Sequence, residues 1–186
     1  MDQRKNIFVI TGGPGFGKTA VIDELRSIGY LCSGEFARDT IEKQQKMGGD
    51  LLPWKRPKLF QKEILQLRKD FYESVPDRTI AFADRGIPDQ LAFARYKGFG
   101  TPEILKISSE KYRYAPQVFV TPPWPEIFTN DIIRNETYEE ALLIHQSILE
   151  TYSDLNYQII ELPLTSVCER TGFILQTIQK LSTNEH

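Results

Sequence analysis

Residues 12–19 read GGPGFGKT, and the run before them, NIFVIT at 6–11, is β-branched and aromatic. A G-x-x-x-x-G-K-[ST] loop between a strand and a helix is a phosphate-binding P-loop. Gly12, Gly13, Gly15 and Gly17 let the backbone turn its N–H groups inward, where a Cβ would obstruct it. Pro14, Phe16 and Ala20 complete the candidate cradle over 12–20. Lys18 is expected to reach the β- and γ-phosphates and the Thr19 hydroxyl to ligate Mg²⁺, at a helix start where dipole and free N–H groups favour an anion. A bare glycine-rich turn is the competing account, but it would not require both Lys18 and Thr19 at that place.

In an open α/β sheet, ligands gather at the C-terminal ends of strands. The run TIAFAD at 79–84 ends in Asp84, where a carboxylate can complete the Mg²⁺ site begun by Thr19. Arg85 follows; the pair reads either as metal and substrate residues or as a structural salt bridge. Glu35, after the second strand, can take a proton from an attacking hydroxyl, with Arg38 pinning a polar or anionic substrate. Equally, Glu35 is a helix N-terminal acid with Arg38 as its i,i+3 partner. After the fourth strand, Asp131 and Arg134 stand three apart: either a lid that brings Arg134 over the phosphates, or an exposed ion pair.

The elements that must position these residues follow from periodicity. Apolar runs alternate with helical stretches, the pattern of a parallel α/β sheet. Strands are expected near 8–11, 30–33, 79–84, 117–121 and 157–162. Helices are expected over 19–28, 36–46, 58–74, 89–96, 101–110, 137–155 and 166–181. Ser166 and Glu169 form a capping box at the last helix. The chain reads as one three-layer, doubly wound domain, 1–186. Its five parallel strands take the order 2-3-1-4-5, with a small helical lid at about 123–137.

A formal charge of −2 with 26% charged residues gives no basic excess, so nucleic acid is not the expected partner. Cys32 and Cys168 form no metal or disulfide pattern and read as reduced, buried small hydrophobes, which suits a cytoplasmic protein. The apolar run 7–10 is too short for a signal-peptide core, and no stretch approaches the roughly eighteen apolar residues of a membrane span. Oligomeric state is left open.

GGPGFGKT, EFAR at 35–38, DRGIPD at 84–89, DIIR at 131–134 and the closing IIELPLTSVCER together resemble the kinase-like branch of P-loop proteins. Within it they are similar to the AAA-type family of predicted ATPases that includes ribosylnicotinamide-kinase-like domains. That resemblance implies ATP and Mg²⁺ as ligands, and it makes Ser166 to Arg170 a candidate adenine-side wall. A looser similarity to deoxynucleoside kinases matches Glu35, Phe60-Gln61 and Asp84-Arg85 to a base, a nucleobase reader and an acid–Arg pair. Their acid there is Glu, where this chain has Asp84. Gln61 is otherwise a polar residue on an amphipathic helix, and Asp89 either a substrate residue or a helix cap.

No N-K-x-D guanine motif, transporter-ATPase signature or second Walker motif occurs, so adenine is the default base. His145, mid-helix in ALLIHQSIL, receives no role, and Trp54 and Trp124 read as loop anchors beside prolines. The resulting expectation is phosphoryl transfer from ATP·Mg²⁺ to a small nucleoside- or nucleotide-like metabolite. Lys18, Arg85 and Arg134 would stabilise charge, and Glu35 or Asp84 would act on the acceptor. The rivals are a nucleotide-dependent binding module and a weak ATPase.

Overall fold

The computed structural model describes residues 5–128 and 136–184. Five strands, β1 (Ile7–Gly12), β2 (Leu31–Cys32), β3 (Ala81–Asp84), β4 (Gln117–Thr121) and β5 (Gln158–Glu161), form one parallel sheet in the order β2-β3-β1-β4-β5. The helices are α1 (Lys18–Ser27), α2 (Phe36–Met47), α3 (Pro57–Ser74), α4 (Ile87–Tyr96), α5 (Glu103–Lys111), α6 (Tyr138–Asp154) and α7 (Val167–Asn184). Topology and element types are those expected from the sequence, with ends shifted by a few residues. The second strand shrinks to two residues at the sheet edge, where it pairs only with β3.

Strand side chains alternate between the two faces, so each central strand feeds two cores. Ile7, Val9, Ala81, Ala83, Val118 and Val120 face the layer of α3, α4, α5 and α6. Phe8, Ile10, Phe82 and Phe119 face α1 and α7 through Val21, Ile22, Leu25, Ile174 and Ile178. Phe8 sits between Phe82 and Phe119, with ring centroids 6.2 and 6.1 Å away. Burying one such side chain stabilises the fold by about 1.5–3 kcal/mol, which fixes the register that places the strand ends.

The crevice arises where successive connections part. After β1 the chain crosses to the α1 face; after β3 it crosses to the opposite, α4 face. Ile10 lies opposite Asp84 in the β1–β3 pairing, and the Arg85 N–H donates to the Ile10 carbonyl at 3.1 Å. The P-loop and the end of β3 therefore open side by side.

Helix starts bear out the capping signals. The Glu169 N–H donates to Ser166 Oγ and the Ser166 N–H to the Glu169 carboxylate, 3.3 and 3.1 Å. Thr137 and Glu140 make the same exchange at α6. Two expectations fail. Cys168 is exposed and Cys32 only half-buried, although burial still pushes the Cys32 thiol up to about 11, where it stays protonated. Trp54 is 59% exposed, not the buried ring that a loop anchor calls for. Among the described residues, no helix is long and apolar enough to cross a membrane.

Candidate active site

The P-loop runs from the end of β1 into α1. Gly12, at φ 138°, lies so close to β4 that a Cβ would fall on the Thr121 carbonyl and hydroxyl oxygens. Gly17 caps α1 in the left-handed region at φ 78°. The first turn of α1 carries no acidic residue, so nothing in the helix competes for its N–H groups with an incoming anion.

Two features of the loop differ from the sequence reading. Lys18, expected to reach the β- and γ-phosphates, is 3% exposed here, and its Nζ donates to the Gly13 carbonyl at 2.7 Å. A charge so buried survives only with strong acceptors around it, which the loop's carbonyl supplies. The Gly13 N–H, expected among the inward-turned donors, instead donates to His145 Nδ1 at 3.2 Å. His145, which received no role, thus braces the loop. Its ring lies edge-on to Phe16, centroids 5.6 Å apart, and a Cβ on Gly13 would meet both Phe16 and the Ala141 carbonyl. Burial, then the charges of Lys18 and Arg85, lower the His145 pKa to about 4, so at neutral pH it accepts at Nδ1 and carries its proton on Nε2. A signal existed: Ala141, Ile144 and Ile148 mark the buried face of α6, and position 145 falls on that face.

The candidate residues of three segments meet in one cleft of about 320 Å³, lined among others by Thr19, Glu35, Arg38, Asp39, Glu42 and Asp84. The Thr19 hydroxyl points at the Glu35 carboxylate, 3.4 Å away. Ser33 Oγ accepts the Asp84 N–H at 2.8 Å, which ties the end of β3 to the segment after β2 that leads to Glu35. Acid crowds this space: burial, then the Glu35 and Glu42 charges, push the Asp39 carboxyl above its ordinary value. Arg38 pairs with Glu42 at 3.1 Å, one turn on along α2.

The cleft fits Mg²⁺ in the manner that ion prefers. Mg²⁺ is bound through one or two carboxylates, phosphate oxygens and water rather than by an all-protein cage. Thr19 and Asp84 offer a hydroxyl and a carboxylate in one acid-rich cleft, and no cluster of three or more His, Cys, Asp or Glu ligands occurs among the described residues.

Arg85 adopts φ 64°, and its Nη1 donates to Asp89 Oδ1 at 3.0 Å. Arg85 thus pairs with Asp89, one helical turn on. Asp89 itself is fully buried and acts as a hub: Oδ1 accepts from Thr11 and Arg85, and Oδ2 from the Gly86 N–H and Tyr152 at 2.8 and 2.6 Å. Of its two sequence readings, the helix-capping one fits this geometry, and the substrate one does not, because both oxygens are already used. Gln61 is exposed on α3 and accepts from Gln90 Nε2 at 2.8 Å, beside the buried Phe60. Arg170, 4% exposed, lies over the Trp124 ring at 5.3 Å and donates to the Gly17 carbonyl at 3.4 Å, so the candidate adenine-side wall does border the P-loop. Of the lid, the structure describes a single 3-10 turn, Pro125–Ile127, and the Thr137 cap; Asp131 and Arg134 lie outside the described residues.

Residues 7–170 match the AAA domain. The chain belongs to that family. This AAA domain also shares its fold with solved P-loop kinases. The NadR protein in complex with NR superposes with a TM-score of 0.65 at 16% identity, covering 95% of this chain and 50% of that one. The YorR protein of Bacillus subtilis, in complex with phosphorylated GDP, gives 0.56 at 13%, covering 97% and 99%. Shikimate kinase from Aquifex aeolicus gives 0.55 at 15%, covering 95% and 98%. No curated protein matches the sequence. At these identities the likeness fixes the fold of the AAA domain, a kinase-like P-loop NTPase, and leaves its acceptor to the chemistry of the cleft.

Proposed function

We propose that this chain binds ATP with Mg²⁺ and transfers the γ-phosphoryl group to a hydroxyl of a small nucleoside- or nucleotide-like metabolite. The observation that carries the reading is the shared cleft: Thr19 at the P-loop, Glu35 after β2 and Asp84 at the end of β3 line one space. Bound Mg²⁺, held by Thr19 and Asp84, would neutralise charge on the phosphate oxygens.

Glu35 takes the proton of the acceptor hydroxyl as its oxygen bonds to the γ-phosphorus. The bond from that phosphorus to the β,γ-bridging oxygen breaks, and ADP leaves with the electron pair. Lys18 exchanges the Gly13 carbonyl for phosphate oxygens, and Arg85 adds positive charge beside the strand end. Arg134, on the segment after β4, is assigned the remaining cation over the transferring group. Such positioning and charge supply most of the catalysis of phosphoryl transfer.

The test is incubation with γ-labelled ATP, Mg²⁺ and a metabolite pool. A labelled small molecule is expected from wild type, and Glu35→Gln should lower kcat by about 10²–10⁴-fold with ATP affinity nearly unchanged. Clear ATP binding with no labelled product, and a silent Glu35→Gln, would instead mark a nucleotide-dependent binding module.

A further inference from the structure

Two buried polar groups, one on α3 and one on α4, find no counterpart among the described residues. Arg68, on α3, is 6% exposed, and its Nε and Nη1 find no hydrogen-bond partner among the described residues. Burial lowers its pKa, and the charge of Asp89 acts against that shift. Asp89 cannot serve it, because each of its oxygens already accepts two hydrogen bonds and a carboxylate has about four acceptor positions.

The next residue on α4, Gln90, is 4% exposed, and its buried Oε1 finds no partner among the described residues. Its orientation is fixed. Nε2 donates to both Gln61 Oε1 and the Gln61 carbonyl, at 2.8 and 3.0 Å, so turning the amide over would set oxygen against two oxygens. Each buried orphan costs about 1–3 kcal/mol. Arg68 stands two turns beyond Gln61 on α3, and helical side chains lean toward the N-terminus, which brings the guanidinium back toward the Gln61–Gln90 clasp. Gln61 is exposed, so the clasp borders solvent.

We propose that Arg68 and Gln90 form the recognition end of the acceptor site, donating to the carbonyl and accepting from the N–H of a planar amide edge on the acceptor. The assignment rests on the phosphoryl-transfer reading only for the word acceptor. An amide satisfies both orphans at once. A carboxylate or phosphate would suit Arg68 but would face the Gln90 oxygen with another acceptor. An aromatic hydrocarbon would leave both unpaired. The ligand class is therefore a neutral ring bearing adjacent C=O and N–H, or a ring carboxamide.

Calorimetric titration tests this, with a non-hydrolysable ATP analogue and Mg²⁺ present throughout. The probes are uridine, inosine and a pyridine carboxamide riboside, each against its analogue methylated on the amide nitrogen, with shikimate as a carboxylate control. At least one amide should bind, and its methylated analogue should bind at least about 10-fold more weakly, because a site built to pair a polar group rejects the ligand lacking it. Gln90→Leu should shrink that preference to below about 3-fold, and Arg68→Lys should weaken the parent amide by about 10-fold or more. Gln90→Leu alone keeps the test decisive should Arg68→Lys fail to fold. Binding of none of the amides, equal binding of a methylated pair, tighter binding of shikimate, or an unchanged preference in Gln90→Leu would overturn the assignment. Phosphorylation of an acceptor without an amide would leave the kinase reading intact and remove this one. Amide binding without phosphorylation would do the reverse.

Discussion

His145 offers the sharpest test of how the P-loop is held. Its Nδ1 accepts the Gly13 N–H at 3.2 Å in a buried contact, so His145→Phe, which keeps a ring against Phe16, strands one donor. An orphaned buried N–H costs about 1–3 kcal/mol, and for a chain of this size each kcal/mol is worth about 2–4 °C of melting temperature. His145→Phe should therefore melt about 2–12 °C lower and bind ATP more weakly, whereas His145→Gln, whose Oε1 can accept the same hydrogen bond, should recover most of both.

The pH dependence supplies a second readout. Burial first, then Lys18 and Arg85, depress the folded pKa from 6.5 to about 4. Between those values the unfolded chain binds the proton and the folded chain does not, so stability rises with pH across that window. The contribution is complete above pH 6.5 and is lost as pH falls toward 4. At about 1.4 kcal/mol per pH unit its ceiling is about 3 kcal/mol, and solvent reaching the open loop reduces this to about 1–2 kcal/mol. Chemical denaturation of wild type and His145→Gln at pH 7.5, 5.5 and 4.5 measures it. The wild type should already have lost part of the additional stability at pH 5.5 and most of it at pH 4.5. Parallel curves for the two proteins, or a His145→Phe that melts and binds like wild type, would refute a neutral histidine bracing Gly13.

Three further outcomes follow from the same geometry. Lys18→Ala should weaken ATP binding by at least about 10-fold in calorimetry, and because Lys18 is buried on the Gly13 carbonyl it should also melt a few degrees lower. Asp84→Asn should retain nucleotide binding and lose Mg²⁺-dependent turnover, read by product formation across a Mg²⁺ titration. Gly12→Ala should destabilise by more than about 2 kcal/mol, since the new Cβ meets Thr121 at a backbone angle that side chains rarely adopt; Gly98→Ala, at φ 76° with open space around it, should cost only about 1 kcal/mol in the same melts.

What the sequence disclosed divides by the range of the interaction that decides it. The P-loop, the capping pair Ser166–Glu169 and the strand–helix alternation are local patterns, and the sheet order followed from them. The approach of Glu35 and Asp84 to Thr19 was legible as well, because parallel strands deliver their C-terminal ends to one edge. Pairings between elements were not. Whether Arg85 meets Asp84 or Asp89 depends on the left-handed turn at Arg85, which aims the next residues into α4. Lys18 sinks into the loop because the Gly13 carbonyl is turned toward its Nζ. His145 reaches Gly13 across 132 positions of chain, a contact set by how closely α6 packs over a loop without a Cβ at Gly13. The same reasoning separates Asp89 from Gln90. Adjacent polar residues on one short helix look alike in sequence, yet one closes a four-donor network in the core while the other holds an acceptor with no partner among the described residues. Only that difference in satisfied valence distinguishes a residue that serves the fold from one poised for a ligand.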